Sequence, residues 1–267
     1  MVGAAALGGG DVNDAWRVAL GDGRVVFVKS HRDAPPGLFA AEARGLAWLA
    51  APAALRVPRV LADGDRFLAL EWLAPAPRRA DFDERLGRGL AAIHRAGAPG
   101  FGLDHGNFLA LLPQDNRGAA DWPTFWIERR LRPTAALAIA RGRGPRRWLD
   151  DVDRLAAVLP ALAGPAEPPA RLHGDLWSGN VHVDEHGAPA LIDPAVYGGH
   201  REVDLAMLAL FGTVSPRLVA AYEEVAPLAA GWRDRVELWQ LYPLMVHAVL
   251  FGGGYASSVQ RVLERHT

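Results

Sequence analysis

The chain has 267 residues, of which 50% are hydrophobic and 22% are charged, so it can bury the core of one large domain or of two unequal domains. Its 29 basic and 30 acidic side chains give a formal net charge of -1, which argues against a broad nucleic-acid-binding surface. The lack of cysteine in the sequence excludes disulfides, cysteine-ligated zinc, iron–sulfur clusters and a thiol nucleophile.

The sequence contains no apolar stretch of the ~20 residues that a membrane-spanning helix requires. Its first ten residues are apolar, but they lack the basic start of a secretory signal. We therefore expect a cytoplasmic protein that binds neither membranes nor nucleic acid.

The first seventy residues have the pattern of a small β-rich unit with one helix. Short runs rich in Val, Trp and Phe are typical of strands, and Gly21-Asp22-Gly23 has the chemistry of a hairpin turn. Apolar residues at helical spacing predict one helix after this hairpin. In chain order, the predicted elements are strands at 12–20 and 24–30, a helix over Leu38–Ala50, and strands at 59–62 and 66–71.

The rest of the chain has a mostly helical pattern. Asp81 is a candidate N-cap for the first of these helices. Residues 97–122 are rich in Gly, Asn and Asp and predict a long ordered loop, and residues 170–194 form a short β-rich block. The predicted helices span 81–96, 124–141, 147–162, 202–211, 216–225 and 231–251.

Two prolines, Pro75 and Pro77, exclude a regular helix between the two units. We therefore expect an α+β fold with two lobes. The boundaries that the sequence predicts are a small β-rich N-lobe at 1–73, a linker at 74–79, and a larger, mainly helical C-lobe at 80–267.

Three oxygen-bearing side chains occur in order within the β-rich block. Asp175 follows His-Gly, Asn180 lies five positions later, and Asp193 ends an apolar run thirteen positions after that. Phosphoryl transfer from ATP needs one carboxylate to accept the proton of the acceptor hydroxyl, and an amide oxygen and a second carboxylate to hold Mg²⁺. The protein-kinase pattern H-R-D-x-x-x-x-N, followed by D-F-G, has the same order and the same Asp-to-Asn spacing.

Two other interpretations of this block remain open. Asp, Asn and Gly are common turn residues, so Asp175 and Asn180 are also compatible with a capped turn. A zinc site of His173, Asp175 and His182 is less compatible with the sequence, because the ligand spacing is unfamiliar. We interpret His173 as a hydrogen-bonded structural residue rather than as a general base.

Lys29 is the only lysine in a chain with 28 arginines, which indicates a position that needs a compact ammonium group. It lies in an apolar strand, and Glu42 on the next helix is its candidate partner. Such a pair positions nucleotide phosphates in kinases. Codon bias toward arginine is the alternative explanation for the single lysine. For Glu42, the alternative is a position on a solvated helix face.

Backbone groups of the N-lobe provide further candidates for nucleotide binding. Gly9 and Gly10 can bring backbone N–H groups to phosphates, although a flexible tail explains them as well. Glu71 and Leu73 lie where the last N-lobe strand meets the linker, and their backbone groups can pair with adenine. An ordinary edge strand is the alternative there.

The sequence resembles the fructosamine kinase (ketosamine-3-kinase) family over nearly the whole chain. H-G-D-L-W-S-G-N at 173–180 and I-D-P-A-V-Y at 192–197 together separate it from the wider aminoglycoside and choline kinase-like group. The other segments that carry the resemblance are Asn107, Gln114-Asp-Asn116, Asp121-Trp122, Glu128-Arg-Arg-Leu131, Phe211-Gly212, and His247 with Phe251-Gly-Gly-Gly-Tyr255.

The resemblance implies a bilobal kinase-like fold and phosphorylation of the 3-hydroxyl of ketosamines by ATP and Mg²⁺. The substrates it implies are small-molecule ketosamines or glycated protein lysines, and the phosphorylated product decomposes to release the amine. Asp175 is then the base, Asn180 and Asp193 are the metal ligands, and Lys29 with Glu42 positions the phosphates.

Two further side chains are candidate substrate contacts. The indole of Trp177 can stack on the sugar ring, and His247 matches a family position near the sugar, although core packing explains either residue equally well or better. We expect Asp204 to support the catalytic loop through hydrogen bonds. We interpret Leu205, Leu208 and Phe211 as core residues.

Two other functions remain open at this point. One is a kinase of the same fold that acts on another hydroxyl, such as that of an aminoglycoside or a choline-like amine. The other is a non-catalytic nucleotide-binding module. The sequence does not predict the oligomeric state.

Overall fold

The computed structural model describes residues 2–8 and 13–267. In this part of the chain, the N-lobe contains β1 (Gly3–Leu7), β2 (Asp14–Ala19), β3 (Val25–Ser30), β4 (Val60–Gly64) and β5 (Phe67–Glu71). These strands form one antiparallel sheet in the order β1-β2-β3-β5-β4. The predicted turn joins β2 to β3, and its Gly23 has a φ of 85°, a conformation that glycine adopts without a Cβ clash.

The helix α1 (Leu38–Ala50) covers the sheet and has the predicted bounds. Its buried side chains recur at helical spacing, with Phe39, Leu46 and Leu49 each 1% exposed. This apolar stripe packs on β4 and β5, so burial of one face adds to the high helix propensity of its alanines and leucines. Residues 72–79, which follow β5, contain neither helix nor strand.

The C-lobe is mainly helical, as the sequence predicts. One continuous helical stretch is formed by α3, a π-helical segment at Trp126–Leu131, and α4. The helices are α2 (Phe82–Arg95), α3 (Trp122–Phe125), α4 (Arg132–Ala140), α5 (Arg147–Leu162), α6 (Glu202–Leu208), α7 (Pro216–Val225), α8 (Val236–Phe251) and α9 (Gly254–His266).

Short strand pairs are inserted among these helices and position the candidate site. The antiparallel pairs are β6 with β7, β8 with β11, and β9 with β10. The first pair lies inside the segment for which we predicted only a loop. Their bounds are β6 (Asn107–Leu109), β7 (Leu112–Gln114), β8 (Ala170–Leu172), β9 (Val181–Val183), β10 (Pro189–Leu191) and β11 (Tyr197–Gly199).

Three expectations about the C-lobe are corrected by the structure. Asp81 precedes α2 but makes no side-chain cap hydrogen bond, because its carboxylate accepts from Arg79 and Arg85 instead. The helix α6 ends at Leu208, three residues before the predicted end, and Phe211 is 44% exposed rather than in the core. The helix α9 was not predicted.

The two lobes share buried apolar contacts. One hydrophobic cluster combines Leu46 and Leu68 of the N-lobe with Leu90 and Leu191 of the C-lobe. A main-chain hydrogen bond from Leu191 N–H to the Arg56 carbonyl (2.8 Å) joins β10 to the N-lobe as well. None of the described helices is both long and apolar enough to cross a membrane.

Candidate active site

The segment from 173 to 180 forms a tight loop between β8 and β9. Gly174 has a φ of 83°, and a Cβ at this position would lie 2.1 Å from the carbonyl oxygen of Ala195. Only glycine fits a backbone that combines this conformation with this approach. The loop is therefore packed directly against the segment that follows Asp193.

His173 makes structural hydrogen bonds, as predicted. Its Nδ1 accepts from the Asp175 N–H (3.2 Å), so the ring proton lies on Nε2, which donates to the Ile192 carbonyl (2.9 Å). Burial lowers the pKa of His173 below its usual value. The neutral ring thus fastens the loop to the strand end that precedes Asp193.

Asp204, at the start of α6, supports the same loop through hydrogen bonds to its backbone. Its carboxylate accepts from the backbone N–H groups of His173 (2.7 Å) and Gly174 (3.0 Å). His94 Nε2 lies 3.2 Å from the carboxylate, and His94 Nδ1 is 2.8 Å from the Tyr222 hydroxyl. Burial alone would raise the pKa of Asp204, but the hydrogen bonds and charge of its partners hold it below the usual value.

Replacing Asp204 by alanine is expected to lower the free energy of unfolding by about 3–5 kcal/mol. The change leaves two buried N–H donors of the loop without an acceptor. Urea denaturation of the wild type and of Asp204→Ala measures the loss. Asp204→Asn keeps one acceptor oxygen and should lose less, and equal stability of all three proteins would contradict the support role.

The side chains of Asp175 and Asn180 contact each other at the two ends of the loop. Asn180 Nδ2 donates to the Asp175 carbonyl (2.8 Å) and to its carboxylate (3.1 Å). This arrangement turns the Asn180 amide oxygen away from Asp175. Burial, together with the nearby charge of Asp193, raises the pKa of Asp175 to about 7.

Asp193 reaches this group through the β9–β10 hairpin. The hairpin pairs Val181 with Leu191, and the Ile192 N–H donates to the Asn180 carbonyl (3.1 Å). This pairing brings the end of β10, which leads into Asp193, next to Asn180. Asp193 has a φ of 54°, which aspartate tolerates better than most side chains. Its side chain is 45% exposed.

The lone lysine lies in the same group. Lys29 Nζ is 2.5 Å from the Glu42 carboxylate and 3.0 Å from that of Asp193, so the predicted Lys29–Glu42 contact is present. Burial by itself would lower the pKa of Lys29, but the two carboxylates raise it above its usual value. The side chain is therefore a cation at neutral pH.

The donor chemistry of this group is suited to a hard divalent cation. Asn180 presents an amide oxygen and Asp193 an exposed carboxylate, and Mg²⁺ is commonly bound by one or two such groups together with phosphate oxygens and water. The described residues contain no cluster of three or more His, Cys, Asp and Glu side chains that could hold a metal ion.

The remaining nucleotide candidates are at the linker and in the first loop. The Glu71 carboxylate accepts from Arg56 (2.8 Å) and from the Arg59 backbone N–H (3.2 Å). The Glu71 backbone N–H donates to the Arg59 carbonyl (2.9 Å), so neither group is available to adenine. The Leu73 carbonyl accepts from His182 Nε2 (3.0 Å), which leaves its N–H for a ligand. Gly9 and Gly10 lie outside the described residues.

Trp177 and His247 lie on one partly exposed aromatic surface, which we call the aromatic wall. It comprises Trp177, Phe211, His247, Phe251 and Tyr255. Phe211 joins the two candidates, because its ring centroid lies 6.0 Å from that of Trp177 and 5.1 Å from that of His247. The exposed fractions are 38% for Trp177, 44% for Phe211 and 51% for Phe251.

Phe211, Phe251 and Tyr255 were not among the predicted site residues. The apolar pattern around Phe211 predicts a core position, and Gly212 directly after it is a local signal that could have indicated a loop. The exposed rings of Trp177, Phe211 and Phe251 give the aromatic wall an apolar surface of the kind that binds a ligand.

A comparison with family models and with curated proteins places the chain in one group. The fructosamine kinase model matches residues 1–267. A protein of Enterococcus faecium named a probable ketoamine kinase is 38% identical over 96% of this chain and 92% of its own length. The chloroplastic protein-ribulosamine 3-kinase of Arabidopsis thaliana is 33% identical over 97% of this chain and 80% of its own length.

Solved structures agree with this placement. A protein of Thermobifida fusca assigned to the fructosamine-3-kinases superimposes with a TM-score of 0.90 at 44% identity, over 98% of this chain and 92% of that one. The choline kinase LicA of Streptococcus pneumoniae has a TM-score of 0.64 at 14% identity, over 98% and 92%, which shows the bilobal kinase-like fold alone. The chain belongs to the fructosamine kinase family.

Proposed function

We propose that this protein transfers the γ-phosphoryl group of ATP to the 3-hydroxyl of ketosamines, such as fructosamines and ribulosamines. Family membership and the activities named for its relatives support this function. The observation that carries it is the meeting of Lys29 with Asp193, 164 positions apart in the chain, beside Asp175 and Asn180. Such a group of residues is what phosphoryl transfer requires.

Each side chain of the group has a distinct task in this proposal. Asn180 and Asp193 hold Mg²⁺, which when bound neutralises charge on the phosphate oxygens. Lys29, kept in place by Glu42, contacts the phosphates from the N-lobe. Asp175 orients the sugar hydroxyl and accepts its proton, and its raised pKa makes it a better base than an exposed aspartate. Positioning and electrostatics supply most of the rate enhancement.

The product of this reaction explains why the activity serves deglycation. Enolisation of the ketoamine toward carbon 1 allows the C–O bond at carbon 3 to break, and inorganic phosphate leaves. Water then hydrolyses the resulting imine, which releases the free amine and leaves a deoxy-dicarbonyl sugar. Both small-molecule ketosamines and glycated protein lysines offer the required sugar. We assign both classes as substrates.

The aromatic wall is the surface we assign to the sugar and its amine. The Trp177 indole crosses the loop directly above Gly179, where a Cβ would lie 2.2 Å from the ring. His247 Nδ1 donates to the Pro243 carbonyl (2.7 Å), and burial lowers the pKa of His247. A neutral ring with Nδ1 as donor leaves Nε2 to accept a hydrogen bond from a sugar hydroxyl.

Replacing Trp177 by alanine is expected to raise the KM for the ketosamine about 5-fold, because a stacked aromatic contact is worth on the order of 1 kcal/mol. The KM for ATP should stay within about twofold. Steady-state kinetics with each substrate varied in turn separates the two effects. Val158→Ala removes a remote exposed apolar side chain (41% exposed) and serves as the control, and an unchanged ketosamine KM in Trp177→Ala would remove the indole from the sugar site.

The proposed function is tested by an acceptor screen. The purified protein is incubated with ATP, Mg²⁺ and one acceptor at a time, namely fructose-, ribulose- and erythrulose-amines, an aminoglycoside, choline and free sugars. ATP consumption with the ketosamines, and NMR location of the new phosphate on carbon 3, are the expected results. Consumption only with another class of acceptor would identify a different kinase, and nucleotide binding without transfer to any acceptor would indicate a non-catalytic module.

A further inference from the structure

Arg130 is a buried cation that has no role in the reaction as described so far. It lies in the π-helical segment, and its exposed fraction is 0%. In the described part of the chain no carboxylate lies within ion-pair distance of it. Its guanidinium donates instead to the carbonyls of Asp115 (2.7 Å) and Arg129 (3.1 Å) and to Asn116 Oδ1 (2.6 Å).

Aromatic faces supply the rest of its surroundings. The guanidinium carbon is 4.1 Å from the ring centre of Tyr197, 4.6 Å from that of Phe125 and 5.5 Å from that of Tyr242. Contacts of this kind stabilise a desolvated cation. A buried charge without a carboxylate still destabilises the fold relative to an apolar side chain of similar size, so packing alone does not explain an arginine here.

Hydrogen bonds lead from Arg130 to the segment that carries Asp193. Asn116, which accepts from Arg130, donates through Nδ2 to Asn107 Oδ1 (2.8 Å). Asn107 in turn donates through its own Nδ2 to the Val196 carbonyl (2.8 Å). The three side chains are buried, and the last bond ends three residues after Asp193.

A second branch reaches the same segment. Tyr242 on α8 donates its hydroxyl to Gln114 Oε1 (3.0 Å), and Gln114 Nε2 donates to Asn107 Oδ1 (3.1 Å) and to the Ala195 carbonyl (3.4 Å). Ala195 is thus held by Gln114 on one side and, through its N–H, by the His173 carbonyl (2.9 Å) on the other.

We propose that Arg130 is a positioning residue for the metal-binding carboxylate of Asp193. Its hydrogen bonds fix Val196 through Asn116 and Asn107, and its charge packs on Tyr197 in the same segment. Asp193 needs such support because its backbone lies in the left-handed region, and residues other than glycine adopt this conformation at some cost in energy. This inference rests on the metal role proposed for Asp193.

The residue type at this position follows from the geometry. Two donors that diverge in one plane, combined with a flat face for ring contacts, are properties of a guanidinium and not of an ammonium. Lysine at 130 keeps the charge but loses this fork, so we expect Arg130→Lys to resemble Arg130→Met rather than the wild type.

The test measures metal binding directly. Electron paramagnetic resonance of Mn²⁺ in the presence of a non-hydrolysable ATP analogue gives the Mn²⁺ dissociation constant. It is measured, together with Tm, for the wild type, Arg130→Met, Asn107→Ala and Tyr242→Phe. We expect this constant to rise about 10–100-fold in Arg130→Met, the range typical when a residue that orients a metal ligand is lost. Asn107→Ala should show a comparable rise and Tyr242→Phe a smaller one.

Two further variants separate positioning from general stability. Leu155→Ala opens a cavity in the core around α5, where Leu155 is 0% exposed, and should lower Tm while leaving the Mn²⁺ constant unchanged. Asp193→Ala should abolish the Mn²⁺ site. If Asp193→Ala loses the site while Arg130→Met and Asn107→Ala bind Mn²⁺ like the wild type, the positioning role is overturned and the metal assignment stands.

Wild-type Mn²⁺ binding in Asp193→Ala would overturn the metal assignment and the positioning role with it. Should Arg130→Met fail to fold, Asn107→Ala and Tyr242→Phe decide by the same measurement. A raised constant in them supports the positioning role, and a wild-type constant overturns it.

Discussion

Replacing Asp193 by alanine is expected to reduce kcat at least about 10³-fold, the scale on which charge-stabilising groups contribute to phosphoryl transfer. The variant loses the only carboxylate that we assign to the metal. It should remain folded, because the side chain is 45% exposed and Lys29 keeps its contact with Glu42. Single-turnover kinetics with ATP and a ketosamine, together with Tm, measures both properties.

Two comparison variants make this result specific to the metal ligand. Asp193→Asn keeps one oxygen ligand and a side chain that tolerates the φ of 54°, so it should retain more activity than alanine, especially at high Mg²⁺. Glu185→Ala removes a carboxylate from the turn of the same hairpin and should stay within about twofold of the wild type. Near-normal turnover of Asp193→Ala would end the assignment.

Much of the fold follows from local patterns in the sequence. The helices α1, α5 and α7 have the predicted bounds because apolar residues recur on one face of each and turn residues flank them. The helix α9 carries the same signal, with Val259, Val262 and Leu263 buried at helical spacing. Three consecutive glycines at 252–254 interrupt the apolar pattern before it, and the last predicted helix ends at Phe251.

The β6–β7 hairpin lacks such a pattern. Its strands have three residues each, too few for an alternation to stand out, and buried polar side chains anchor it together with the apolar Leu109 and Leu112. Asn107 and Gln114 bond across the pair and to the segment after Asp193. Hydrogen bonds between residues far apart in the chain leave no local pattern, so the sequence predicts a loop for this segment.

The residues of the candidate site could be named from the sequence, but most of their supports could not. The order and spacing of Asp175, Asn180 and Asp193, and the rarity of lysine, single out the polar group. Nothing local marks His94 as a partner of Asp204, 110 positions away, because histidine on an amphipathic helix is ordinary. Supports of this kind depend on how the helices pack, which periodicity does not determine.

Replacing Asp175 by asparagine is expected to lower kcat about 10²–10⁴-fold, the usual contribution of a positioned general base. An asparagine has nearly the same shape, and Asn180 still has the main-chain carbonyl of residue 175 as an acceptor, at 2.8 Å in the wild type. The metal ligands therefore stay in place. Nucleotide and metal binding should remain within about threefold of the wild type, in contrast to the Asp193 variants.

The pH profile distinguishes a base from a residue that only orients the substrate. The pKa of Asp175 is raised to about 7, and only the carboxylate form accepts a proton, so kcat/KM of the wild type should fall as the pH drops below about 7. The residual activity of Asp175→Asn should lack this acid limb, because its amide does not titrate in that range. If the Asp175→Asn variant keeps the acid limb of the pH profile, Asp175 is not the base that accepts the proton. If the variant binds Mn²⁺ as poorly as Asp193→Ala, Asp175 supports the metal site, because loss of a base alone leaves the metal ligands in place.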